Sequence, residues 1–192
     1  MITVKAIDFR TQKSNELVGL KNIEYLPVGT DTSKQEILSF IKGADVFFVV
    51  HDSTKEEYKE KLKFIEEFAL KNNITPLELL PESGITGDGP TLEDISHLFS
   101  YEGDIQFAAG VACGKNKVEE VTNSALAINT NCDGVYIHII CSEDITLNTL
   151  YKTCGIINEN IKNAADVLVQ TIVDDTLPED ILSVCIIATG CK

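Results

Sequence analysis

Short apolar runs alternate with amphipathic stretches through the first half of the chain. Residues 2–8 (ITVKAID) and 23–28 (IEYLPV) read as strands and 33–42 as a short helix, while 46–50 (VFFVV) lacks polar alternation and reads as a strand buried on both faces. The clearest helix spans residues 55–71, where Tyr58, Leu62, Ile65 and Phe68 follow at intervals of four, three and three with charges between them. Asp52, Ser53 or Thr54 marks its start and Asn72-Asn73 its end. Residues 74–80 read as another strand, and Pro76, which cannot donate to a ladder, places it at an edge or a strand start. Strands alternating with helices predict βαβ units and a parallel sheet.

That rhythm breaks at residues 81–90 (PESGITGDGP), where three glycines and two prolines can extend neither a helix nor a central strand; the stretch reads as a linker. It separates a parallel-sheet unit, residues 1–90, from a second unit, residues 91–192. The second unit opens with a helix from Thr91 or Leu92 to about Ser100. Residues 104–112 then read as a strand and 116–129 as a helix with Val118, Val121, Ala125 and Ile128 on one face; Asn116 and Glu119 stand at capping-box spacing. Residues 135–141 (VYIHIIC) form a strand, and 144–160 a helix expected to turn Leu147, Leu150, Tyr151, Cys154 and Ile161 inward. Residues 167–173 and 181–189 close the chain as strands joined by an Asp/Pro-rich turn. The order βαβαββ predicts a four-stranded mixed sheet with two helices on one face, and the whole chain is α/β.

Composition narrows the function classes. In 192 residues, 30 acidic side chains face 16 basic ones, and the net charge of −14 is spread along the chain. Nucleic acid and anionic membrane surfaces are therefore poor partners. Residues 1–10 have no signal-peptide pattern and no apolar run approaches the roughly 20 residues of a membrane helix, so membrane insertion is not expected and the location is read as cytoplasmic. The six cysteines all fall in the second half without a CxxC pair, several inside apolar runs. Buried or idle thiols are the preferred reading over a metal site or disulfides.

Three passages of the second half carry a resemblance: FAAGVACGKNKVEEVTNSALAI, DGVYIHIICSEDITLNTL and ADVLVQTIVDDTLPEDILSVCIIATG. In order and spacing they resemble the C-terminal domain of FtsZ, the bacterial tubulin homologue: a G-x-A-x-G turn into a helix, an apolar strand with a polar turn before a Leu-containing helix, a strand ending in acidic residues, and a last strand ending Ala188-Thr189-Gly190. More faintly, PVGTDTSKQEILSFIKGADVFFVV resembles the strand–helix–strand passage of the FtsZ nucleotide-binding domain. The resemblance implies a reduced FtsZ/tubulin-like fold, a parallel-sheet unit followed by a four-stranded, two-helix one. For the family it implies GTP as ligand and GTP hydrolysis as activity.

Against that pattern the chain departs at three places. The glycine-rich phosphate loop expected after the strand at 46–50 is replaced by His51-Asp52-Ser53-Thr54-Lys55. A phosphate cradle needs glycines so that successive N–H groups can converge on the oxygens, and Asp52 would repel phosphate. The turn after the first strand, Phe9-Arg10-Thr11-Gln12-Lys13-Ser14, is likewise without glycine. In the family's activating N-x-D-x-x-D loop, Gly89 replaces Asn, Thr91 replaces the first Asp, and only Asp94 remains. No catalytic, cofactor or metal residue is therefore assigned. The expectation is a non-catalytic FtsZ-like protein, a pseudo-GTPase that partners an FtsZ-type protein or itself in cell-division filament assembly. The alternatives are a divergent GTP-binding homologue and a small enzyme using His51 and Asp52. His51 and Asp52 lie where open α/β sheets place ligands, although Asp52 as a helix cap is the preferred reading. Asp94 is either a relic of the activating loop or a first-turn helix carboxylate. His138 reads as a packed sheet residue.

Overall fold

The computed structural model describes residues 3–9, 23–29, 31–51, 56–72, 74–79, 89–161 and 164–192. The chain divides into two compact units, Met1–Ser100 and Tyr101–Lys192. The division falls after the helix that follows the Gly/Pro-rich stretch, so that helix packs with the first unit, whereas the sequence reading groups it with the second.

The first unit contains β1 (Val4–Asp8), β2 (Ile23–Pro27), α1 (Lys34–Ile41), β3 (Val46–Val50), α2 (Glu56–Lys71), β4 (Thr75–Leu79) and α3 (Leu92–Leu98). Its four strands form one sheet in the order β2-β1-β3-β4, parallel throughout. Pro76 lies in β4, the edge strand, in register with Phe47, where its missing N–H costs no central ladder bond. Ile7, Phe9, Phe47 and Val49 pack one sheet face against Ile37 and Ile41 of α1 and Ile65 and Ala69 of α2. The opposite face of β3 is equally dry: Phe48 meets Phe99, the C-cap of α3, edge to face with centroids 6.0 Å apart. Helix on both sides explains why VFFVV shows no alternation. Lys5 is buried at the opposite end of β1. Its Nζ donates to the Phe40 carbonyl at 2.8 Å, lies 3.0 Å from Glu24 Oε2, and so supplies the cation that the last turn of α1 lacks.

The second unit contains β5 (Asp104–Ala112), α4 (Lys117–Ala125), β6 (Gly134–Cys141), α5 (Leu147–Asn160), β7 (Asp166–Val173) and β8 (Leu182–Cys191). The sheet order is β5-β8-β6-β7; β6 and β7 run parallel and the other pairs antiparallel. Val135, Ile137 and Ile139 of β6 and Val184, Ile186 and Ala188 of β8 form the core with Val121 and Ala125 of α4 and Leu150 and Ile157 of α5. Each Val, Leu or Ile among them contributes about 1.5–3 kcal/mol of transfer free energy on leaving water.

The glycines of the G-x-A-x-G segment have separate jobs. A Cβ on Gly110 would come within 2.7 Å of the Val121 carbonyl oxygen and the Ser124 Cβ, so its absence lets α4 lie directly on β5. Gly114 adopts φ +85, the left-handed turn that leads into α4.

Two expectations are corrected here. Asn116 occupies the N-cap of α4 but makes no side-chain cap bond. The turn is instead held by Asp180, whose carboxylate accepts the Gly114 N–H at 2.6 Å and pairs with Lys117. Leu147 and Tyr151 are exposed, not inward. The helix begins at Leu147 with Thr146 as cap, and its inward stripe is Leu150, Thr153 and Ile157, with Ile161 at the cap; Tyr151 stands one residue past that stripe, which turns it about 100° away.

Candidate functional site at the carboxyl edge of the parallel sheet

After β1 the chain pairs β2 on one side, then crosses so that β3 lies on the other side of β1. The carboxyl ends of β1 and β3 therefore form a topological switch point, the position at which open α/β sheets receive ligands. Two backbone bonds extend the pairing to this edge: Phe9 N donates to the Val50 carbonyl at 2.8 Å, and Val28 N to the Asp8 carbonyl at 2.7 Å.

Two polar pairs occupy the edge. Asp8, the last residue of β1, is only 2% exposed, and Tyr25 Oη of β2 donates to its Oδ2 at 3.0 Å. His51 follows β3 directly and is 7% exposed; its Nε2 lies 3.5 Å from Glu78 Oε2 of β4, and neither ring nitrogen makes a hydrogen bond among the described residues. Asp8 is in register with Val50, so the alternation puts Asp8 and the following His51 on opposite faces of the sheet. The structure thus brings His51 to Glu78, not to Asp8. Asp52, and with it the stretches 10–22 and 52–55 that follow β1 and β3, lies outside the described residues. Asp8 at the end of β1 and Glu78 near the end of β4 put two carboxylates among the described residues of this edge, and a phosphate beside them would need compensation from elsewhere.

The remaining candidates have structural roles. Asp94 closes a capping box on α3: its Oδ2 accepts from Thr91 N at 2.8 Å and from Thr91 Oγ1 at 2.7 Å, while Asp94 N donates back to Thr91 Oγ1 at 3.2 Å. His138, on β6 of the second unit, is buried and stacks on Tyr136, whose hydroxyl donates to Gln170 Oε1 at 3.0 Å. No group of three or more His, Cys, Asp or Glu side chains converges as a metal site among the described residues. The cysteines are unbridged; burial pushes the Cys185 thiol up to about 12 and the Cys191 thiol to about 11, which keeps both protonated and unreactive at neutral pH. Sequence reasoning missed Asp8, Tyr25 and Glu78. The available signal was a carboxylate at the end of one strand, Asp8, and inside another, Glu78, and the sequence reading took both only as strand residues.

Residues 103–192, β5 through β8, match the family model of the FtsZ family, C-terminal domain. The second unit is FtsZ-like: it resembles the family's C-terminal domain along nearly its whole length. No curated protein matches the chain closely enough to serve as a relative. Among solved structures, an empty FtsZ dimer from M. jannaschii is similar at 15% identity, with 98% of this chain and 55% of that chain covered and a TM-score of 0.52. A GDP-bound monomer of CetZ1 from Haloferax volcanii is similar at 11% identity, with 88% and 56% covered and a TM-score of 0.46. The chain spans about half the length of these solved structures. Its two sheets have the FtsZ/tubulin-like α/β arrangement, a parallel sheet followed by a mixed one. In this FtsZ-like unit, Gly110 and Gly114 place α4, and Gly190, at φ +65, ends β8 against Asp133 and Tyr101.

No described helix is long and apolar enough to cross a membrane.

Proposed function

We propose that this chain is a non-catalytic FtsZ-like protein that works through its surfaces, as a structural or regulatory partner in the assembly of division filaments. The observation that carries the reading is the pairing of an FtsZ-like C-terminal unit with a parallel sheet whose carboxyl edge bears carboxylates and whose following turns lack glycine. Asp8 closes β1, Glu78 stands beside His51 after β3, and the stretches that follow, Phe9 to Ser14 and His51 to Lys55, contain no glycine. Without glycines the backbone N–H groups of a turn cannot crowd onto phosphate oxygens, and the neighbouring carboxylates add repulsion. Asp94, the one acidic residue kept from the activating-loop pattern, spends its carboxylate on the cap of α3, so it is not free to orient water.

A subunit of this kind can occupy a place in an assembly without turning over nucleotide. Self-association and association with a filament-forming FtsZ are both open to it. The test adds purified protein to FtsZ from the same cell and measures GTP turnover and sedimentable polymer over a range of ratios. The reading predicts a change in polymer amount or turnover at equimolar protein, with no hydrolysis by the protein alone. Intrinsic GTP hydrolysis, or no effect on FtsZ together with a monomeric state at all concentrations, overturns it.

A further inference from the structure

The sheet of the second unit ends at β7, an edge strand with β6 on one side and, among the described residues, no strand on the other. Residues 167–173 (VLVQTIV) carry no charge, no proline and no glycine. Edge strands of soluble proteins are ordinarily blunted by such residues, by lysines or by bulges, because a bare edge pairs with another strand. Here the register with β6 is unbroken from Gly134/Asp166 to Cys141/Val173.

The side chains tell the same story as the backbone. Val167, Val169, Thr171 and Val173 are in register with Val135, Ile137, Ile139 and Cys141, which form the helix-facing core. They therefore lie on the helix-facing side, yet Val167, Val169 and Val173 are 41%, 41% and 47% exposed. An uncharged row of β-branched side chains stands beside a free ladder.

The charges at the two ends of the strand decide what can cover it. Asp166 opens β7, and Asp174 and Asp175 follow it directly. Antiparallel pairing with a second copy, centred on Gln170, would set Asp166 opposite the other copy's Asp174, and like charges directly across a ladder are destabilising. A net charge of −14 on each copy adds to that cost. A strand with basic residues at both ends and alternating β-branched residues between them meets the opposite situation at every position.

We propose that β7 is a docking edge for an extended, basic-flanked segment of another protein, which adds as a fifth strand to this sheet by backbone pairing and lays its apolar side chains on Val167, Val169 and Val173. The test uses the full chain and a fluorescent peptide, acetyl-Lys-Lys-Val-Thr-Val-Thr-Val-Lys-Lys-amide, with its glutamate-flanked analogue as control, read by anisotropy. The lysine peptide is expected to bind at least tenfold more tightly than the analogue. Val169→Lys should weaken it at least tenfold, while Val111→Lys, at the exposed Val111 of the other edge strand, leaves binding unchanged; thermal melting of both variants checks that they remain folded. Equal affinities for the two peptides, no binding, or an equal loss in both variants overturns the proposal. Concentration-dependent dimerisation in sedimentation that Val169→Lys abolishes also overturns it, and assigns the edge to a second copy.

Discussion

Gly110 and the Asp144/Asp180 pair show how single residues fix the second unit. Replacing Gly110 by Ala inserts a methyl where the Val121 carbonyl and Ser124 already stand 2.7 Å away. Overpacking of this kind costs about 1–3 kcal/mol, and urea unfolding of Gly110→Ala should show a loss in that range with the m-value unchanged. Asp144 and Asp180 lie in the turns beside α5 and β8. The Ser142 hydroxyl and then the Asp180 backbone N–H hold the Asp144 carboxyl below its usual range, and Lys117 and then the Gly114 N–H do the same for Asp180. Depressed native values mean that the unfolded chain binds more protons. Their stabilisation is therefore present above the ordinary value of 3.8 and is lost as pH falls through the lower native values. Asp180→Asn should flatten the acid limb of a plot of melting temperature against pH and leave its neutral portion shallow as before. An unchanged acid limb would remove Asp180 from the account of that turn.

At the scale of elements, the capping box of α3 gives Asp94 a measurable task. Thr91→Ala and Asp94→Ala each remove one half of the box, and each should cost about 1 kcal/mol in chemical denaturation. Because the two groups form one unit, the double variant should lose less than the sum of the two single losses; strict additivity would separate Asp94 from the cap. In α5, Leu150→Ala should cost about 2–5 kcal/mol, whereas Tyr151→Lys should stay within about 0.5 kcal/mol of the parent. The elements were legible in the sequence where periodicity was strong. VFFVV showed a strand covered on both faces, Pro76 showed an edge or a strand start, and the βαβαββ order showed a mixed sheet. Periodicity failed at the start of α5, because the acidic turn at Glu143 and Asp144 resembles a helix opening while Thr146 is the residue that caps it. It failed again at Asn116, where the spacing of a capping box was present but the turn is tied to Asp180, a residue far away in the chain. The Tyr25–Asp8 and His51–Glu78 pairs join separate strands, so only the register reveals them. Linear sequence carries no register between parallel strands.

Across the whole molecule, an FtsZ-like C-terminal unit follows a parallel sheet whose carboxyl edge carries Asp8 and Glu78. The second unit has a hydrophobic core drawn from its own four strands and two helices. A fragment of residues 101–192 should therefore unfold cooperatively, with coincident circular-dichroism and fluorescence transitions; a broad, probe-dependent transition would contradict that independence. With no glycine in either turn, this FtsZ-like chain is expected not to bind GTP. Isothermal titration of the full chain with GTP and magnesium tests it most directly, supported by thermal melting in the same buffer, since a ligand bound only by the native state must raise the melting temperature. The account predicts no binding heat beyond dilution and an unchanged melting temperature at millimolar GTP. Saturable binding with a micromolar dissociation constant, or a melting temperature that climbs with nucleotide concentration, would contradict it.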